Sequence, residues 1–406
     1  MILKPNTTET SLLNQDLYQL SMAQLVHARF AANPVEYKFT CRNAEKIQFF
    51  HYVSQEDLED LKGFLSGISL NEDEYKWLAS RGYFSEEFLD WLRLFRFEPE
   101  RHLKITSLPN RGWDLRIRGS WLQTIFYEIF CLSFLNQRFS ENYCRQNKDT
   151  KDVWLVGAEK LDTKINLLKS YNSSLAVEDY PKILEFGTRR RLSGLFQEYV
   201  LDNLLKRVPN NIIGTSNVLL AKTRGIKELG TFSHQFPMAL QGLVPIQSSQ
   251  SVAFSIWQDF YKGQWGIALS DTLGNNRFIK DFTLGFAHGF TGVRHDSGDP
   301  FEYGELIIKM YKGYKIDPLT KNLVFSDGLD IPLAIELHKK LHKRIKVSFG
   351  IGTNLTNDCG IPTPAIVIKI VSSNNQDVCK LSANPAKASC NNQQYLDYVR
   401  MAIERY

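Results

Sequence analysis

A chain of 406 residues with 43 % hydrophobic and 23 % charged content is long enough for two or three domains and apolar enough for sizeable cores, which excludes a disordered or low-complexity protein. The formal net charge of +5 is too modest for the dense basic field of a nucleic-acid binder. Six scattered cysteines (Cys41, Cys131, Cys144, Cys359, Cys379, Cys390), with no CxxC and no His at metal-ligand spacing, indicate neither a disulfide framework nor a zinc site, and fit a reducing cytoplasm.

In chain order, Met1 to Leu13 lacks the apolar core of a signal peptide. Leu12 to Phe30 carries apolar residues at helical spacing, with a start near Asn14 or Asp16, and Val35 to Arg42 alternates like a strand. Gly112 to Ser120 is a second strand pattern, followed by a long apolar helix from Trp121. Gln123 and Glu128 inside its most apolar run, Trp121 to Leu135, argue against a membrane span. The polar stretch Ser140 to Asp152 is read as the boundary of an N-terminal, helix-rich layer.

Beyond it, PKILEFG (Pro181 to Gly187) is a short apolar strand leading into EFGTRRRLS (Glu185 to Ser193). Three consecutive arginine side chains must diverge, and the guanidinium fork suits phosphate or carboxylate. Two further Gly-Thr turns follow, GTSNVLLAK (Gly214 to Lys222) and GTFSHQF (Gly230 to Phe236), the latter holding His234.

From about Gly263 short apolar strands alternate with helical stretches, the signature of βα units and a parallel sheet or barrel. Small and acidic residues fall at four successive strand ends: Asp271, Asp296, Asp327, and Gly350 to Thr353. That is the rim where parallel α/β folds gather their chemistry. Asp299 with Pro300 and Glu302, and Asp330 before IPLAIELHKKL, read as helix starts. The basic stretch His338 to Lys346 reads as the dipole-complementing end of the second helix. The Gly-rich turns suit phosphate. No GxxxxGK motif and no GxGxxG opening a βαβ unit is present, which excludes a Walker-type or dinucleotide-fold site.

The motifs DLYQLSM, EFGTRRRLS, GTSNVLLAK, GTxxH, GVRHDSGDP, VFSDGLD and SFGIGTNLT, in this order, resemble bacterial nicotinate phosphoribosyltransferases over nearly the full chain. The resemblance implies an α/β fold of the type II phosphoribosyltransferase kind, an irregular β/α barrel over about residues 146–360. It also implies an N-terminal α+β domain over residues 1–145, completed by the C-terminal tail, about 361–406. The implied reaction makes nicotinate mononucleotide and pyrophosphate from nicotinate and 5-phosphoribosyl 1-pyrophosphate (PRPP) in NAD salvage. ATP is the implied co-substrate, hydrolysed through a transient phosphohistidine at His234, with Mg2+ as cofactor. A cytoplasmic homodimer with a shared active site is implied, with no nucleic-acid or membrane partner.

By motif position, Asp271 and Asp296 would hold ribose hydroxyls or Mg2+ on the diphosphate, the carboxylate that meets the metal being open. Arg189 and Arg294 would lie near nicotinate or phosphate, and Phe186 and Tyr18 would stack the pyridine ring, Tyr18 from the partner subunit. Asp327, Gly352 and Thr353 would bind the 5′-phosphate, and Arg42 would reach across the dimer to phosphate.

Ser216 stands where nicotinamide-using relatives carry an aspartate. A hydroxyl can donate to a carboxylate that an aspartate would repel, so nicotinate is favoured over nicotinamide. Quinolinate calls for a more basic pocket in a shorter chain. A catalytically retired, mononucleotide-binding paralogue is the alternative of a different class, and the intact charged rim argues against it. One departure stands out. The family pattern places Glu and Trp after the histidine, and here Gln235 and Phe236 follow His234, so weak ATP stimulation is expected from loss of a group that orients the imidazole.

Overall fold

The computed structural model describes residues 10–109, 112–148, 150–384 and 387–404. Most of the segment read above as lacking a signal core, residues 1–9, lies outside them. Eleven strands are present among the described residues: β1 (Pro34–Cys41), β2 (Leu103–Ser107), β3 (Trp113–Ser120), β4 (Lys182–Glu185), β5 (Ile212–Thr215), β6 (Ile267–Leu269), β7 (Gly292–His295), β8 (Asn322–Phe325), β9 (Lys346–Ile351), β10 (Ile366–Ser373) and β11 (Gln376–Asp377). They form two sheets with the orders β11-β10-β1-β3-β2 and β5-β4-β9-β8-β7-β6.

The first sheet is antiparallel throughout. Alternation in β1 buries Val35, Tyr37 and Phe39, and Phe39 packs on Trp113 of β3 at 4.9 Å and on Phe49 at 5.7 Å between ring centroids. The helix Tyr127–Gln146 buries Phe130 and Phe139 in the same core. This helix runs through the first half of the polar stretch read as a boundary. Solvent-facing turns of a long helix are polar too, so composition alone does not separate them from a linker.

The helix anticipated from Asn14 or Asp16 begins at Leu17 and ends at Arg29. Every residue from Leu17 to Val26 is buried, as befits a central helix rather than a surface one. Its first turn is tied to the second sheet by Leu17 N–H donating to Ser216 O at 2.8 Å.

All pairings in the six-stranded sheet are parallel. This sheet carries the anticipated βα units. Its end strands β5 and β6 are not paired among the described residues, and the helices Gln235–Leu240 and Ser249–Tyr261 follow β5 before β6 begins, so the sheet is open at that seam and not a closed barrel. Both anticipated helix starts are present. Asp299 accepts from Phe301 and Glu302 N–H at 2.8 and 2.9 Å, and Asp330 accepts from Leu333 N–H at 2.9 Å. The basic stretch supplies His338, Lys339 and Lys340 to the last turn of the helix Ile331–Leu341.

The tail is divided between layers. Strand β10 lies beside β1, whereas the final helix, Gln393–Glu404, buries Leu396 and Val399 against Ile246 and Leu273 from the part of the chain that forms the second sheet. No helix among the described residues is long and apolar enough to cross a membrane.

Candidate active site

The carboxyl ends of β4, β7, β8 and β9 open on a cavity of about 230 Å3. Its wall includes Arg42, Arg189, Arg190, Arg294, Lys369, Lys380 and Lys387, against only two carboxylates, Asp296 and Asp327. Burial, then Arg189 and Arg42, pull Arg190 down to about 10, and burial pulls Lys369 down to about 8. Arg42, Arg190 and Lys369 carry no ion pair among the described residues, and a wall with this surplus of cations forms a site for a polyanion.

The loop after β4 is organised by Glu185, which is fully buried. Its carboxylate accepts Gly187 N–H at 2.5 Å, the Thr215 hydroxyl at 2.6 Å and both hydrogen bonds of Gln197 Nε2 at 3.0 Å. The arginines then diverge. Arg189 turns to Glu128 (3.5 Å) and Asp16 (3.9 Å), Arg190 Nε donates to Ile366 O at 2.9 Å, and Arg191 is buried, donating to Asn14 and Gln197 at 2.9 Å each. One run of sequence therefore supplies a pocket cation, a bridge to β10 and a structural tie.

Phe186 lines the cavity with the Arg294 guanidinium 5.7 Å above its ring. Gly350 makes room for that ring, since a Cβ there would stand 2.5 Å from Phe186 Cδ2. Asp327, Gly352 and Thr353 line the same wall, and Lys387 pairs with Asp327.

Beside the cavity, His234 immediately precedes the helix Gln235–Leu240. Its Nε2 lies 2.6 Å from Asp271 Oδ1, while Asp271 Oδ2 takes Lys380 Nζ at 2.7 Å and the Ser297 hydroxyl at 2.5 Å. Asp296 Oδ1 is held by Arg294 Nη2 and the Ser326 hydroxyl, each at 3.0 Å. Its Oδ2 is 3.8 Å from both His234 and Lys380. Burial, then Lys380, lower the imidazole to about 4. Burial works against the charge of Asp271 and Asp296, but His234 and then Lys380 beside Asp271, and Arg294 and then Lys380 beside Asp296, outweigh it and keep both ionised. A neutral imidazole donating from Nε2 to Asp271 leaves a lone pair on Nδ1.

Of Tyr18 and Arg42, both expected to act across a dimer, Arg42 lines the cavity of its own chain and Tyr18 is not among the lining residues. The Tyr18 hydroxyl lies 3.4 Å from Glu128 Oε2, on the carboxylate that also faces Arg189, because its helix is pinned to Ser216 through Leu17. Arg42 lines the cavity and approaches Lys387 O at 3.5 Å, because β1 and β10 are neighbours.

Ser216 lies beside the first helix. Its hydroxyl donates to Asp16 Oδ1 at 2.7 Å, so that proton is already committed within the protein. The departure after His234 has a structural explanation: Gln235 Nε2 donates to the Tyr37 hydroxyl, and Phe236 packs between Trp121 and Trp257 in the core. Asp271 is the carboxylate that orients the imidazole here.

Sequence reasoning missed Glu185, Lys369, Lys380 and Lys387. Lys369 left a signal, as a lone cation inside the apolar run IVIKIV. Lys380 and Lys387 sit among small and polar residues and left none.

The family model described as "Nicotinate phosphoribosyltransferase (NAPRTase) family" matches residues 181–405, and the N-terminal domain model of the same family matches residues 13–136. The chain is 40 % identical over 404 residues to the nicotinate phosphoribosyltransferase of Acidovorax sp. (strain JS42), covering 97 % of this chain and 98 % of that one. It is 39 % identical over 397 residues to that of Acinetobacter baumannii, covering 97 % and 96 %. Among solved structures, nicotinate phosphoribosyltransferase from Vibrio cholerae superposes with a TM-score of 0.85 at 32 % identity, covering 97 % of this chain and 93 % of that one. The protein of the same name from Porphyromonas gingivalis gives 0.84 at 28 %, covering 97 % and 99 %.

Proposed function

We infer the working of the site from the premise that this chain belongs to the nicotinate phosphoribosyltransferase family. It transfers the phosphoribosyl group of PRPP to nicotinate and releases pyrophosphate. The single observation that carries the site assignment is the wall of seven cations around Phe186 at the rim of the parallel sheet.

In this reading the phosphate groups of PRPP lie against Arg42, Arg190, Lys369 and Lys387, and the pyridine ring lies on Phe186 with Arg189 and Arg294 toward its carboxylate. Departure of pyrophosphate leaves an oxocarbenium-like ribose, which Asp296 stabilises through its carboxylate while the cations hold the leaving diphosphate. Tyr18 borders the ring site, and Asp327, Gly352 and Thr353 border the 5′-phosphate. Ser216 supports the base site through Asp16 instead of touching the base.

ATP is the co-substrate in this reading. His234 Nδ1 attacks the γ-phosphorus, ADP leaves, and water later returns the phosphohistidine to imidazole and phosphate. Asp271 accepts a hydrogen bond from Nε2–H and so stabilises the positive charge that forms on the ring. His234, Asp271 and Asp296 bring ligand atoms within 4.8 Å of one another, but Lys380 already occupies the Asp271 side. The donors fit Mg2+ held chiefly by water and diphosphate, with Asp296 Oδ2 as the protein ligand. Bound there, the ion would neutralise diphosphate charge. A homodimer with a shared active site belongs to this reading, with Tyr18 offered to the partner's ring site. The unpaired cysteines suit a cytoplasmic location.

Pyrophosphate release with PRPP and nicotinate, nicotinamide or quinolinate, with and without ATP, tests the reading. Turnover with nicotinate, stimulated by ATP, is expected. Turnover restricted to another base, or none, would sink it.

A further inference from the structure

Two of the six cysteines meet in the fold. Lys380 N–H donates to Ser389 O at 2.8 Å and Ser389 N–H donates to Lys380 O at 2.9 Å, an antiparallel bridge. In such a ladder the next pair outward is non-hydrogen-bonded, with Cα atoms about 4.5 Å apart, within the range a disulfide spans. That pair is Cys379 and Cys390, and each thiol shifts the other's affinity for its proton. Both are free in this structure.

The two differ in setting. Cys379 is fully buried against Leu396 and Val399, and its backbone is clamped by the Gln241 side chain, which accepts from its N–H and donates to its O at 2.8 Å each. Cys390 is partly exposed. The hydrogen bond from Cys379 pulls the Cys390 thiol below its ordinary value, against burial, so Cys390 is the nucleophile of the pair. Between them the chain presents Lys380 to Asp271 at 2.7 Å, the Ser382 hydroxyl to the same carboxylate at 3.3 Å, and Lys387 to Asp327.

We propose that Cys379 and Cys390 are a reversible redox site, whose disulfide fixes the base of the turn that presents Lys380 and Ser382 to Asp271. The oxidant is a low-molecular-weight disulfide such as glutathione disulfide. The Cys390 thiolate attacks one of its sulfurs and releases one thiolate. Cys379, losing its proton, then attacks Cys390 sulfur and releases the second. The protein gives up two protons and two electrons, and the oxidant leaves as two thiols.

Mapping tests this directly. The protein is equilibrated in glutathione buffers from fully reduced to fully oxidised, alkylated with iodoacetamide and digested without reductant. Trypsin cleavage after Lys380 and Lys387 puts the two cysteines on separate peptides. A linked pair that accumulates ahead of any bond to Cys41, Cys131, Cys144 or Cys359, reverses with dithiothreitol and is lost in Cys390→Ser supports the proposal. Full alkylation of both thiols in the most oxidising buffer, or glutathione remaining on Cys390, overturns it. The effect on the turn rests on the phosphoribosyl-transfer reading. Oxidised and reduced wild type should differ at least threefold in KM for PRPP, with no difference in Cys390→Ser, which keeps the reduced-form turnover. Equal KM in the two states overturns the link to the turn. Absence of turnover in both states counts against the catalytic reading, while the mapped bond still decides the cysteine pair.

Discussion

His234 Nε2 stands 2.6 Å from Asp271 Oδ1, and both side chains are buried. Burial, then Lys380, lower the imidazole to about 4, against 6.5 for the free side chain. The folded value lies below the unfolded one, so between those limits the unfolded chain binds more protons. Stability that is fully present above pH 6.5 is then lost as pH falls toward 4, by about 3 kcal/mol in all. Urea unfolding at pH 7.5 and pH 4.5 should show wild type losing about 2–3 kcal/mol more than His234→Gln. An identical loss in the two proteins would place the acid sensitivity elsewhere.

The same pair sets a catalytic expectation. Asp271→Asn can no longer accept the Nε2 proton as a carboxylate does, so the Nδ1 lone pair is no longer selected. ATP-dependent labelling of His234 should fall roughly 100-fold or more, and base transfer without ATP should fall less. Acid-labile label from γ-phosphate-labelled ATP measures the first and pyrophosphate release the second.

The three adjacent arginines should separate by phenotype. Arg191→Met leaves the acceptors of Asn14 and Gln197 without their donor in a buried setting and should cost about 1–3 kcal/mol of stability. Arg189→Lys keeps a charge near Glu128 but loses the planar fork. It should raise KM for a substrate about 10- to 100-fold with little change in melting temperature. Chemical unfolding paired with initial-rate kinetics distinguishes them, and matching profiles would refute the division of roles.

The rim was legible because its signals are local. Asp271, Asp296, Asp327 and Gly352 each follow a short apolar strand, and Asp299 and Asp330 start helices by spacing alone. What was not legible depends on pairings between distant segments. Lys369 faces the cavity only because β10 lies beside β1, Ser216 meets Asp16 across 200 residues, and Cys379 faces Cys390 only through the register of Lys380 and Ser389. Composition and period do not encode those registers.

Ser216→Ala removes the donor to a buried carboxylate whose affinity for protons burial has already raised. It should cost about 1–3 kcal/mol of stability while changing KM for nicotinate less than about threefold. Ser216→Asp would set a second carboxylate against Asp16 and should destabilise the fold without conferring use of nicotinamide. Efficient nicotinamide turnover by that variant would show that position 216 reads the base directly.

Lys369 carries no ion pair among the described residues, and burial, the larger cause, lowers its ammonium to about 8. An unpaired, recessed cation destabilises a protein, so Lys369→Met should raise stability by about 1 kcal/mol or more. If the charge is there for phosphate, the same variant should raise KM for PRPP about 10-fold. The pH profile separates the two effects. In the free wild-type enzyme the ammonium is charged below about pH 8 and loses its proton above it, so KM for PRPP should climb as pH rises through that value. In Lys369→Met the same rise should be absent. Kinetics from pH 6.5 to 9.5 on both proteins decide it, and parallel profiles would remove Lys369 from the phosphate site.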